Sequence, residues 1–298
     1  MKKNNLKAWL YLLPALLFIG AFMIYPLIDV CIYSLEENYN FTSQTFTGIG
    51  LGNFRQVLSE PAFIQAVKNT FLLVAVTVPV STGLSLLIAL GLSSIRKLRN
   101  AFQTIYFLPY VTNTLAVGLV FMIVFQQTPY SKGLVNLLIQ ALGFTPVNFL
   151  PEGSYTAKMF VMCLYTVWIV MPFKILILTS ALASVNPDYY KAAKVDGASS
   201  GRIFRKITLP MISPTVFYLI ITGFIGAFKA YSDEVALFGT QLDEAGMNTI
   251  VGYVYDMLYG DSGGHPGYAA AAALILFAIV FTITYINLTV SKNKVQYM

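Results

Sequence analysis

Residues 189–210 read YYKAAKVDGASSGRIFRKITLP and set Lys191, Lys194, Arg202, Arg205 and Lys206 between two long apolar stretches. An insert this basic between segments that lack charge fits a loop at a membrane surface, so the apolar stretches on either side decide the fold. The 298-residue chain is 57% hydrophobic and 11% charged, with a mean hydropathy of +0.68. Soluble domains carry about 25% charged residues, so a globular core does not account for this composition. A crossing of the hydrocarbon layer needs about 20 apolar residues, and six stretches supply them, at 9–35, 69–92, 104–126, 158–182, 211–230 and 268–290. The reading is an all-α membrane protein in which 1–298 forms one transmembrane domain.

The first stretch, WLYLLPALLFIGAFMIYPLI (residues 9–28), follows Lys2, Lys3 and Lys7 in the manner of a signal peptide. Its apolar run exceeds a signal h-region and no small-residue cleavage site follows, which predicts an uncleaved first helix. Pro14, Pro26, Pro79, Pro109 and Pro172 lie in or near the spans, where neighbouring helices satisfy the freed backbone groups.

Orientation follows from the basic residues. Lys2, Lys3, Lys7, Arg96, Lys97, Arg99, the five of the insert, Lys292 and Lys294 make thirteen of the nineteen. The positive-inside rule puts these segments, and with them both termini, in the cytoplasm. Segment 231–267 agrees from the opposite side: it holds Asp233, Glu234, Asp243, Glu244, Asp256 and Asp261 and no Lys or Arg. The net charge of +6 is then a matter of topology and anionic membrane lipid, with no nucleic-acid partner required. Cys31 and Cys163 indicate no disulfide framework, and His265, the sole histidine, reads as a loop residue, so no metal site is expected.

No phosphate-binding loop, nucleophile elbow or kinase signature occurs, which argues against an enzyme. An ion-coupled carrier needs ionisable groups at membrane depth, and the candidates are few. Asp29 and Lys174 read as interfacial anchors, Lys174 by extending its stem toward the surface. Asp233 and Glu234 face either a polar vestibule or bulk water.

Within the insert, Asn186-Pro187-Asp188 is a helix start: a capping side chain, a proline at the first helical position and an acid in the first turn. A short helix over Pro187–Val195 is expected, then a break at Gly197. A second helix follows, capped by Ser199 or Ser200, running through Ile207 and ended by Pro210. Ala192, Ala193 and Gly197 form a face of low relief, while Ile203, Phe204 and Ile207 offer apolar contact. Two readings remain for the segment 186–210: a plain basic loop that fixes topology, or a docking surface.

The order A-A-x-x-x-G-x(9)-I-x-L-P, here Ala192, Ala193, Gly197, Ile207, Leu209 and Pro210, resembles the EAA motif of binding-protein-dependent ABC importer permeases. YYKAAKVDGAS, with Asp196 before the glycine, is similar to its carbohydrate-type version. LLPALLFIGAFMIYPLI, GLGNFRQVL, KNTFLLVAVTVPV and QTIYFLPYVTNTLAVGLVFMIVF resemble, in order, the first, maltose-type permease of a two-permease sugar importer. The resemblance implies a type I ABC importer permease fold in the bacterial plasma membrane. It implies a non-catalytic subunit that binds no cofactor, ATP and Mg being held by a separate ATPase. The implied partners are a second permease, two ATPase subunits or domains, and an extracytoplasmic binding protein, which would dock on loops 36–67 and 231–267. The motif would be the helix that docks on the ATPase, with Asp196 as a polar partner or cap at the break. Lys191 stands where the motif has glutamate and reverses a charge there. For a sugar, Tyr165, Thr166, Trp168, Phe173, Tyr218 and Thr222 are candidates to line the path, since aromatic faces and neutral hydrogen-bonding groups hold sugars. Glycerol phosphate, a polyol or another small solute is the alternative cargo, and an ion-coupled secondary carrier the alternative class.

Overall fold

The structure, a computed structural model, describes residues 3–40, 43–95, 99–150, 152–260 and 264–294. Lys2, Arg96, Lys97 and Asp261, used above as topology charges, lie outside the described residues. In chain order the elements are α1 (Lys3–Ile19), α2 (Tyr25–Leu35), β1 (Glu36–Glu37), β2 (Gly48–Ile49), α3 (Gly52–Ser59), α4 (Pro61–Ser94), α5 (Arg99–Val111), α6 (Thr114–Phe125) and α7 (Leu134–Ala141). They continue with α8 (Tyr155–Ser184), α9 (Pro187–Val195), α10 (Ser200–Ile203), α11 (Leu209–Phe228), α12 (Ser232–Phe238), α13 (Ile250–Tyr259) and α14 (Pro266–Lys294). Among the described residues five helical stretches are long and apolar enough to cross a membrane: Lys7–Leu35, Pro61–Ser94, Tyr155–Ser184, Ser200–Phe228 and Pro266–Ser291.

The crossing expected at 104–126 is broken into two helices, Thr104–Val111 and Thr114–Phe125, that meet at 101°. Pro109 deprives α5 of a backbone donor near its end. Asn113 then starts α6 afresh, its Oδ1 accepting from Leu115 N at 2.9 Å and Ala116 N at 3.3 Å. A second difference concerns Pro210, expected to end the second short helix. The helix instead continues from Ser200 to Phe228 through a π-helical turn at Phe204–Thr208. Proline lacks an N–H and its ring collides with the carbonyl four residues back; a widened turn makes room for it. The same device precedes Pro26, with a π-helical turn at Gly20–Ile24.

Contacts gather the chain into two compact units, residues 1–64 with 250–278, and residues 65–249 with 279–298. In the first, β1 and β2 pair antiparallel. Asn53 Nδ2 donates to the carbonyls of Ser34 at 3.1 Å and Glu36 at 2.9 Å, binding α3 to the end of α2. The Phe63 ring meets Tyr253 edge-on at 5.1 Å, and the Tyr253 hydroxyl donates to Glu60.

The second unit is built around α8, which is largely buried, whereas the helical stretch Lys7–Leu35 is exposed along most of its length. A helix apolar all round and exposed over most of its length is suited to lipid or to another subunit. One core joins α6, α8 and α12 through Phe125, Met162, Tyr165 and Leu237; another joins α4, α8 and α11 through Ala89, Leu178, Ile212 and Leu219. Two buried asparagines fasten loops to this frame. Asn69 Nδ2 donates to the carbonyls of Gly246 (3.0 Å) and Asn248 (2.8 Å), and its Oδ1 accepts from Tyr155 OH at 2.9 Å. Asn136 exchanges hydrogen bonds with Val147 at 2.8 and 3.0 Å.

Candidate functional site

Between α8 and α11 lies the short helix α9, and its ends are set by local chemistry. Asn186 Oδ1 accepts from Asp188 N at 2.9 Å, and Pro187 fills the first turn, where no N–H is needed. At the other end Gly197 takes φ +70°. Gly197 N donates to Lys194 O at 3.1 Å and Ala198 N to Ala193 O at 2.9 Å, the paired 5→2 and 6→1 bonds of a Schellman motif. Asp196 is the C-cap residue through its backbone, and its side chain is exposed. Ala193 and Tyr190 face the protein, the Tyr190 hydroxyl accepting from Thr208 Oγ1 at 3.4 Å. Lys191, Ala192 and Gly197 face outward together with Val195, which is 88% exposed. Lys191 Nζ pairs with Asp188 at 2.9 Å on the same exposed surface. Ile207, Leu209 and Pro210 are half-buried and form the π-helical turn and the first turn of α11.

A second feature lies within the same unit: a cavity of 390 Å³ walled by α4, α5, α8 and α11 and by the chain leading into α12. One side of α4 carries a buried hydroxyl stripe, Thr70, Thr77, Ser81 and Ser85. Thr77 and Ser81 donate to carbonyls one turn back, which leaves their lone pairs to accept. Lys174 Nζ donates to one of these, Ser81 Oγ at 2.7 Å, and to the neighbouring Thr82 Oγ1 at 2.9 Å. Tyr110 and Phe173 stack at 5.6 Å and 23° along another wall. Asp233, at the start of α12, also lines the cavity, and burial pushes its carboxyl up to about 6. Its neighbour Glu234 is fully buried and neither of its oxygens meets a partner from another residue. Burial first, and the Asp233 charge second, push Glu234 above the usual carboxylate range.

The family described as binding-protein-dependent transport system inner membrane component matches residues 81–294. The chain belongs to this family. The permease is 31% identical to the arabinooligosaccharides transport system permease protein AraP of Bacillus subtilis, over 96% of this chain and 88% of that one. It is 27% identical to the lactose transport system permease protein LacF of Rhizobium radiobacter, over 97% and 95% of the two chains. Its fold is that of a chain in the crystal structure of a bacterial ABC transporter involved in the import of the acidic polysaccharide alginate. The TM-score is 0.82 at 22% identity, with 99% and 98% of the two chains covered. The permease is thus a multi-pass inner-membrane protein.

Of the six residues singled out for a substrate path, Thr166, Phe173 and Thr222 line the cavity of the permease. Tyr165 is fully buried, its hydroxyl donating to Thr114 O at 2.7 Å and its ring packed edge-on to Phe121, so it serves the core. Trp168 and Tyr218 are about half exposed and lie outside the cavity lining. Lys174, expected as an anchor reaching for the surface, is instead 5% exposed and turned inward onto α4. The missed signal is the hydroxyl stripe: Thr77, Ser81 and Ser85 recur every fourth residue and so share one helix face.

Proposed function

We propose that this chain is one of two permease subunits of an ATP-driven importer, forming half of the path for a sugar or oligosaccharide delivered by an extracytoplasmic binding protein. The observation that carries the reading is α9. It is a rigid helix fixed at both ends by its own caps, held to its chain by Tyr190 and Ala193, and presenting Ala192, Val195 and Gly197 outward. Relatives named for arabinooligosaccharide and lactose transport, matched over nearly the full length, support the cargo class.

In this reading the membrane is crossed six times, the bent α5–α6 pair included, with both termini in the cytoplasm. α9 docks on one of two ATPase subunits or domains, which hold ATP and Mg; this chain binds neither and catalyses nothing. Closure of the ATPase pair moves α9. Because α10, the π-helical turn and α11 form one continuous helix, that movement passes directly into the cavity wall. Lys191, Ala192, Asp196 and Gly197 face the ATPase, while Ala193, Ile207, Leu209 and Pro210 stiffen the lever behind them. Loops 36–67 and 231–267 meet the binding protein on the opposite side.

Affinity purification of the tagged chain in mild detergent, with mass spectrometry of what accompanies it, tests the reading. Recovery of a second permease and an ATPase is expected. A chain recovered alone from a membrane in which it is fully inserted contradicts it.

A further inference from the structure

The cavity holds groups that the protein leaves unsatisfied. A lysine ammonium has three donors, and the two acceptors of Lys174 Nζ are both neutral hydroxyls. Among the described residues the single ion pair is Lys191–Asp188, so no carboxylate compensates Lys174. A buried charge without a counter-charge is costly and persists where a partner is to be supplied. Thr166 Oγ1, 4% exposed and on the same wall, has no hydrogen-bond partner. Gly223 leaves room beside the ammonium: a Cβ there would lie 3.3 Å from Lys174 Nζ and 3.4 Å from Val78. The charged groups lining the cavity are Lys174, Lys229 and Asp233, two potential cations against one acid. The stacked Tyr110–Phe173 pair supplies an apolar wall of the kind on which sugar rings rest.

We propose that this cavity receives a saccharide bearing an acidic group, a carboxylate or a phosphate. Lys174 Nζ is its counter-charge, Thr166 Oγ1 a hydrogen-bonding partner and the Tyr110–Phe173 pair the wall behind the ring. The proposal rests on the importer reading and narrows its cargo: a neutral sugar leaves Lys174 uncompensated, and an anionic one completes it.

The test uses cells carrying the assembled importer and cells lacking this permease. Both are given an equimolar mixture of neutral, uronate-bearing and phosphorylated saccharides of one to four units, and depletion of each is followed by mass spectrometry. The expected result is permease-dependent depletion of acidic members, the uronate and phosphate arms telling which acid is taken. Lys174→Met should slow that uptake by on the order of tenfold, the effect of losing one charge-assisted hydrogen bond, at unchanged membrane level and ATPase recovery. Lys174→Arg should retain part of it, and Gly223→Ala, which keeps the charge and narrows the space, should slow it as well. Three outcomes overturn the proposal while leaving the importer intact: depletion of neutral members alone, depletion of none, or Lys174→Met indistinguishable from wild type. Loss of the importer reading shows separately, as failure of an ATPase to co-purify.

Discussion

Lys191 and Lys174 lie 17 positions apart in the sequence and in opposite circumstances. Lys191 stands on the outer side of α9 with its side chain 76% exposed and an aspartate at 2.9 Å. Lys174 is buried among helices, bonded to two hydroxyls, with no acid beside it. A surface pair in water gains little because water already solvates both charges. The same ammonium taken out of water must be compensated by what surrounds it. The charge that departs from the motif pattern is therefore expected to be the less consequential one, and the charge that no motif marks is expected to govern selectivity.

The comparison can be broken most forcefully at α9. Gly197→Arg should abolish uptake while the protein stays in the membrane, since it puts a long side chain on the outward face and an L-residue at φ +70°. Gly197→Asn separates the two causes, because asparagine tolerates that conformation; its uptake should stay near normal, as measured with the identified cargo. Next comes the pair itself. Lys174→Met should reduce uptake by on the order of tenfold and Lys191→Met by less than about twofold, in keeping with the values of desolvated and exposed charges.

Smaller effects concern stability. Asn69→Ala removes the hydrogen bonds to the carbonyls of Gly246 and Asn248 and from the Tyr155 hydroxyl. It should cost about 1–3 kcal/mol, read as a lower melting temperature in detergent. Burial raises the carboxyls of Asp233 and Glu234, so the folded chain binds more protons than the unfolded one. Stability should therefore be greatest in acid and fall as pH rises, for Asp233 between its ordinary 3.8 and about 6. Glu234→Gln removes the larger raised group and should flatten the melting temperature between pH 5 and about 8. The smallest effect is expected of Lys191→Glu, which restores the motif residue and removes a surface pair contributing about 0–1 kcal/mol. Its ATPase coupling should change only modestly, whereas loss of complex assembly would make Lys191 a specific contact.

The apolar stretches were legible because composition alone sets a membrane crossing, and α9 because its caps are local: Asn186, Pro187 and Gly197 act on neighbours within a few residues. The break at Thr112–Asn113 had its signals in Pro109 and Asn113, but continuous hydropathy across them masked the turn. The π-helical turns before Pro26 and Pro210 leave no mark in composition; they are the backbone's accommodation of a ring inside a continuing helix. Lys174 was misread because the direction of a side chain depends on what packs opposite, and its partners Ser81 and Thr82 are more than 90 positions away. Trp168 and Tyr218 lie outside the cavity lining for the same reason. Residue type suggests sugar contact, whereas helix rotation, which packing decides, puts them outside the cavity.

The central claim, that α9 is where the energy source attaches, is tested most directly from Val195, the most exposed large apolar side chain of that helix. A photo-crosslinking residue placed at 195 in intact cells should capture an ATP-hydrolysing subunit on the cytoplasmic side. Capture of an extracytoplasmic protein, or no capture from a fully inserted chain that transports normally, would contradict it.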